Sequence, residues 1–176
     1  MSERPSAVRA VELDVDCGRY PEIAQVLEYW RAKKGDRAFP ARADIDPLEF
    51  ARTLPRVMMV DVTYDPLDFR YRVAGTGIFA IHGQELTGKR ARDLQPPEFG
   101  AEIHRHYCDV IARRVPLLHL IELTVDYATT SYARLILPLS SDGETIDRFL
   151  TVDAHEDHSD DLQKFFAETK AEAAKA

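Results

Sequence analysis

Residues 69–94 read FRYRVAGTGIFAIHGQELTGKRARDL, and this stretch decides the fold. Phe69, Tyr71 and Val73 alternate with Arg70 and Arg72, the period of a strand with one buried and one solvated face. Gly75 breaks the strand. Ile78, Phe79 and Ile81 follow closely enough to share one side of a short helix, and Gly83 and Gly88 supply the backbone freedom to leave it sharply. The chain is therefore expected to leave a sheet at Gly75 and arch over it, forming one wall of a cavity. No reactive group is evident at this point.

Working outward, Val57–Thr63 (VMMVDVT) reads as a strand and residues 64–68 (YDPLD) as the turn into the strand at Phe69, so the two are expected to form a hairpin. Before them, Ile23, Val26, Leu27 and Trp30 recur at i, i+3, i+4 and i+7 behind Pro21, an amphipathic helix closing near Gly35. Its stripe packs either on its own sheet or against a second copy. Asp46, Pro47 and Glu49 resemble a capped start to a short helix that stops before Pro55. Residues 97–114 carry the longest helical pattern, with Phe99, Ile103, Tyr107, Val110 and Ile111 on one stripe and Pro116 beyond it. Three strand-like runs follow: Leu117–Val125, 131–139 and 146–154. Leu162, Phe165 and Phe166 then open a final helix. Residues 1–18 show no sustained period and are expected to form a flexible arm.

The chain has 176 residues, 45% of them hydrophobic and 30% charged, the size and composition of one soluble domain with a real core. No stretch approaches the roughly 18 apolar residues a membrane span needs, and the first residues have no apolar core of the secretory kind. A cytoplasmic protein is expected. Cys17 and Cys108 make neither a disulfide framework nor a metal site by spacing. A net charge of −7 disfavours nucleic acid as a partner, because phosphate binding needs a clustered basic face.

The ordered set of motifs resembles a PAS domain, and more narrowly the bacterial family of short stand-alone PAS-like proteins. The resemblance rests on Trp30, RADIDP at 42–47, Leu54 and Pro55, FRYRVAGT at 69–76, GQELTGK at 83–89 and YARLILPLSSDG at 132–143. It implies an α+β fold, a five-stranded antiparallel sheet with helices over one face and additional N- and C-terminal helices. On that reading residues 19–156 form the domain with its N-terminal flanking helix, and 157–176 form the C-terminal helix. The implied function is a non-catalytic sensor or interaction module that binds an unknown small molecule or a signalling partner protein, with the N-terminal helix as the candidate homodimer surface. The residues themselves leave two rivals open. One is a small enzyme on a cone-shaped α+β fold with a catalytic histidine and aspartate; the other is a purely structural interaction protein with a closed core.

Tyr71, Phe79, Tyr107, Tyr132 and Arg134 are the candidate pocket set, since a pocket is mostly apolar with a few orienting polar groups. Arg134, between apolar neighbours in a strand, can fork onto a ligand carboxylate or phosphate; the plainer alternative pairs it with Glu122 across a tight return. His155, Glu156, Asp157 and His158 contain metal-ligand side chains, but their spacing lacks the helix-borne arrangement of hydrolytic sites, so no metal is expected. His104 and His106, two apart on a helix, point to different faces. Some haem-binding PAS domains hold iron through a histidine on the corresponding helix, which makes either a conceivable axial ligand; an ordinary surface or half-buried histidine is the favoured reading. The asparagine–cysteine motif of the flavin-binding branch is missing, and no nucleophile elbow, phosphate loop or dinucleotide fingerprint is present. No catalytic residue and no cofactor are expected.

Overall fold

The computed structural model describes residues 7–154 and 159–175. Its elements run β1 (Ala7–Leu13), α1 (Pro21–Lys34), β2 (Val57–Thr63), β3 (Asp68–Ala74), α2 (Thr76–His82), α3 (Pro97–Arg113), β4 (Leu117–Val125), β5 (Ala128–Leu139), β6 (Arg148–Ala154) and α4 (Ser159–Ala173). The strands form one antiparallel sheet in the order β1-β4-β5-β6-β2-β3. The β2–β3 hairpin is as expected, and β6 closes the chain back onto β2, so the last strand lies beside the first strand of the hairpin. The fold is α+β with α2, α3 and α4 arched over one face.

The sheet has six strands rather than five. Residues 7–13, expected to lie in a flexible arm, pair with β4 from Ala7 opposite Thr124 to Leu13 opposite Leu118. Main-chain bonding to the open edge of β4 holds this strand, with Val8, Ala10 and Leu13 half-buried against the core and the other side chains exposed. A face covered this thinly leaves no strong alternation to read. The other edge, β3, is covered by the returning loop, where Gly88 N–H donates to Tyr71 O at 2.7 Å and Tyr71 N–H to Lys89 O at 3.0 Å.

The apolar stripe of α1 is spent within the chain. Ile23, Val26, Leu27 and Trp30 are buried, and the indole Nε1 of Trp30 donates to Pro138 O at 2.9 Å. The candidate homodimer stripe thus packs on its own sheet, the alternative the periodicity left open. Asp46 caps the next segment, accepting from Leu48 N–H at 3.0 Å, but that segment is a 3-10 helix running through Pro55 to Arg56.

Two departures from the sequence pattern shape the sheet. Between Met59 and Val60 the β2–β3 register slips, with Val73 opposite Met59, Tyr71 opposite Val60 and Arg72 unpaired between them. This bulge turns Val73 to the outer face, where it is 56% exposed, instead of burying it beside Phe69 and Tyr71. Gly75, in turn, passes so close to the preceding 3-10 helix that a Cβ there would lie 2.3 Å from Leu54 O and 2.4 Å from Pro55 O. Backbone on both sides leaves nothing to yield. Gly75→Ala is therefore expected to cost about 3 kcal/mol, the upper end for overpacking, read as a fall in the urea midpoint at constant slope.

Candidate functional site

Four of the five candidate pocket residues meet in the interior. Tyr71 on β3, Tyr107 on α3, and Tyr132 and Arg134 two apart on β5 all point under the arched helices and are buried. Tyr107 Oη donates to Tyr71 Oη at 3.4 Å, and the Arg134 guanidinium lies 5.5 Å from the Tyr132 ring centre. Phe79 does not join them. On a seven-residue helix Ile78, Ile81 and His82 take the inner face, which turns Phe79 outward to 50% exposure.

Arg134 pairs with Asp153, not with Glu122. Its Nε donates to Asp153 Oδ1 at 2.7 Å and its Nη2 to Oδ2 at 2.8 Å, a two-pronged bond between residues directly opposite on β5 and β6. The turn decides this. Asp126 and Tyr127 both have positive φ, 49° and 70°, so the β4–β5 hairpin turns over these two residues, with Val125 opposite Ala128. That register sets Glu122 opposite Ser131 and Arg134 opposite His119, while Glu122 lies 4.0 Å from Arg9 on β1.

The ion pair is 1% and 5% exposed at its two side chains. Burial works against the charge on Arg134, but Asp153 outweighs it and holds the guanidinium protonated. Two donors remain unsatisfied: Arg134 Nη1 and Tyr132 Oη have no hydrogen-bond partner among the described residues. Burial raises all three tyrosines above the usual phenolic range, so each is a neutral O–H.

The lid over this cluster is made by α2 and α4. His82, the last residue of α2, stacks on Phe166 of α4 with ring centres 4.1 Å apart, and Phe166 meets Phe99 of α3 edge-on at 5.1 Å. Burial, with the Arg134 charge as a lesser cause, lowers the His82 pKa to about 3. Under these rings Ile78, Ile81, Tyr132, Asp153 and Leu162 enclose a void of about 10 Å³, the room of about one water molecule. The site as it stands is closed.

Sequence reading missed His82, Asp153 and Phe166 as members of this cluster. Asp153 carried a legible signal: it is the one carboxylate in the strand RFLTVDA, flanked there by Val152 and Ala154, and a buried charge requires a partner.

The remaining candidates fall elsewhere. His104 and His106 do face different ways: His104 lies on Phe69, centres 5.1 Å apart, and His106 stacks on His119 at 3.7 Å and 6°. His106 also meets Glu102 at 3.0 Å. These residues do not fit a haem, since His106 is committed to its stack and the interior void holds about one water. His155, Glu156, Asp157 and His158 lie outside the described residues. Among the described residues no group of three or more such side chains could hold a metal ion, and no helix is long and apolar enough to cross a membrane. Both cysteines are free.

Comparison with known proteins agrees with this architecture. No curated protein matches the chain. Among solved structures, "Structure of an RNA-binding Light-Oxygen-Voltage Receptor" is similar at 14% identity and a TM-score of 0.47, with 99% of this chain and 45% of that one covered. The chain thus spans less than half the length of that receptor. A model of the PAS domain matches residues 19–152, which takes in α1, the 3-10 segment, the α2 and α3 arch, β2 to β5 and most of β6, and leaves out β1 and α4. With most of its length matched, and the sheet and arching helices in place, the chain belongs to the PAS domain family.

Proposed function

We propose that the chain is a non-catalytic sensor module that reports occupancy of its interior through α4. Arg134 carries this reading: a fully buried guanidinium, held by Asp153 on one side and with a free N–H on the other, on the face of the sheet that α2 and α4 cover. An unsatisfied buried donor costs roughly 1–3 kcal/mol, and an oxygen brought in from outside removes that cost. The fitting ligand is a small carboxylate or phosphate, which a guanidinium grips in two places. Since the present void admits about one water, such a ligand needs α2 and α4 to part. The closed and parted packings offer a signalling partner different surfaces of α4. The reading places the module in the cytoplasm.

The test is thermal unfolding with acetate, pyruvate, benzoate and inorganic phosphate, each added alone. At least one is expected to raise Tm in the natural protein, by the equivalent of about 2.7 kcal/mol at a hundredfold excess over Kd. The variant Arg134→Met with Asp153→Leu is expected to show no rise. Flat melting curves for all four, or equal shifts in the variant, would remove the interior ligand from the account.

A further inference from the structure

We propose that the outer face of the sheet carries a second binding site, separate from the interior one, for a small amphiphilic carboxylate. The bulge in β2–β3 creates it. With Arg72 left unpaired and Val73 set opposite Met59, the outer surface gains an apolar floor of Met59, Val73 and Leu150, Met59 and Leu150 being paired on adjacent strands. Phe50 and Leu54, from the 3-10 helix that Gly75 lets approach so closely, form a wall. The groove encloses about 280 Å³, at the lower end of small-molecule pockets. The helix α1 packs against β5 and β6 and does not line it.

Its charge is opposite to that of the chain. Arg42, Arg72 and Arg148 line the groove. Arg72 and Arg148 share a single carboxylate, Asp61, at 3.4 and 2.9 Å. Among the described residues Arg42 is held by a carbonyl and no carboxylate, donating to Ile45 O at 3.0 Å. Three guanidinium groups against one carboxylate leave two positive charges in excess, on a protein of net charge −7. An apolar trough rimmed by guanidinium groups in excess of carboxylate suits a hydrocarbon tail with an anionic head, the tail covering Val73, the exposed apolar side chain of the floor, and the head forked by Arg42. The bulge is the device that builds it, as bulges often re-aim side chains beside sites.

Decanoate is the probe, with decanol as its neutral match. Titration followed by methyl NMR is expected to show one decanoate per chain, with shifts at Met59, Val73 and Leu150, and decanol binding at least tenfold more weakly. Arg42→Gln and, separately, Val73→Glu are each expected to weaken decanoate at least tenfold; Val73 is exposed, so the second variant keeps its fold. Tyr132→Phe, in the interior, is expected to leave the affinity unchanged. The proposal is overturned if decanoate does not bind, if its shifts fall on the interior residues, or if decanol binds equally well. Binding of decanoate only as part of an anionic vesicle, or of an acidic peptide in its place, would also overturn it.

Discussion

Asp153→Ala is expected to destabilise the fold by about 3–5 kcal/mol, the usual cost of stripping one partner from a buried ion pair. The reason lies in Arg134. Its guanidinium is buried, near enough to His82 of α2 to act on it, already has one unpartnered nitrogen, and would lose the two bonds that Asp153 accepts at 2.7 and 2.8 Å. Replacing both partners is a different experiment. Arg134→Met with Asp153→Leu exchanges the pair for apolar groups of similar bulk, and such exchanges are neutral or stabilising by about 1–4 kcal/mol. Chemical denaturation of the two variants separates the contributions. A stabilised double variant would mean that the fold tolerates a charge pair it does not need for stability, which is the expected signature of a pair kept for binding. A double variant as damaged as Asp153→Ala would instead make the pair a structural requirement.

Acid is expected to unfold the protein through its buried histidines. His82 and His106 both have pKa values lowered to about 3, the first by burial and the nearby Arg134 charge, the second by burial and by His119 stacked on it. His119 is lowered as well, chiefly by burial. Near His106 the Glu102 carboxylate favours the proton and the Arg105 guanidinium opposes it. In the unfolded chain each histidine takes a proton near pH 6.5. Below that value the unfolded state binds more protons than the folded one, so stability falls as pH falls, until the folded groups also titrate near pH 3. Above about pH 7 the effect vanishes. At about 1.4 kcal/mol per pH unit per group, His82 and His106 together lose about 4 kcal/mol between neutrality and pH 5. Urea midpoints across that range measure it. His82→Phe, which keeps an aromatic ring against Phe166, is expected to remove the His82 share, about 2 kcal/mol of the loss between neutrality and pH 5; an unchanged slope would show that His82 is not the neutral, buried group described.

How much of this was legible in the sequence follows from the kind of interaction that fixes each part. The strands from Val57 onward, the long helix and the glycine break were readable because a buried face imposes a period. Val73 broke the period because a bulge is a main-chain event without a side-chain signature. The edge strand Ala7–Leu13 was unreadable for a related reason: main-chain pairing holds it, and its inner face is no more than half-buried, through Val8, Ala10 and Leu13. In the site, Tyr71, Tyr107, Tyr132 and Arg134 were found as large groups on inward-facing positions. Partner choice was not, since whether Arg134 meets Glu122 or Asp153 depends on two positive-φ residues, Asp126 and Tyr127, that set the hairpin register. Phe79 was misassigned because residues adjacent on a helix turn about 100° apart, and Ile78 and Ile81 already held the inner face.

Native-state hydrogen exchange along α2 and α4 tests the central claim most directly, because the interior can be reached only if these two helices open without the sheet. Their amides are expected to exchange through a shared opening of lower free energy than the opening that frees β5 and β6, and with a weaker dependence on denaturant. If α4 instead exchanges only with global unfolding, at the same free energy as the central strands, the lid does not move and the site beneath Phe166 is sealed core.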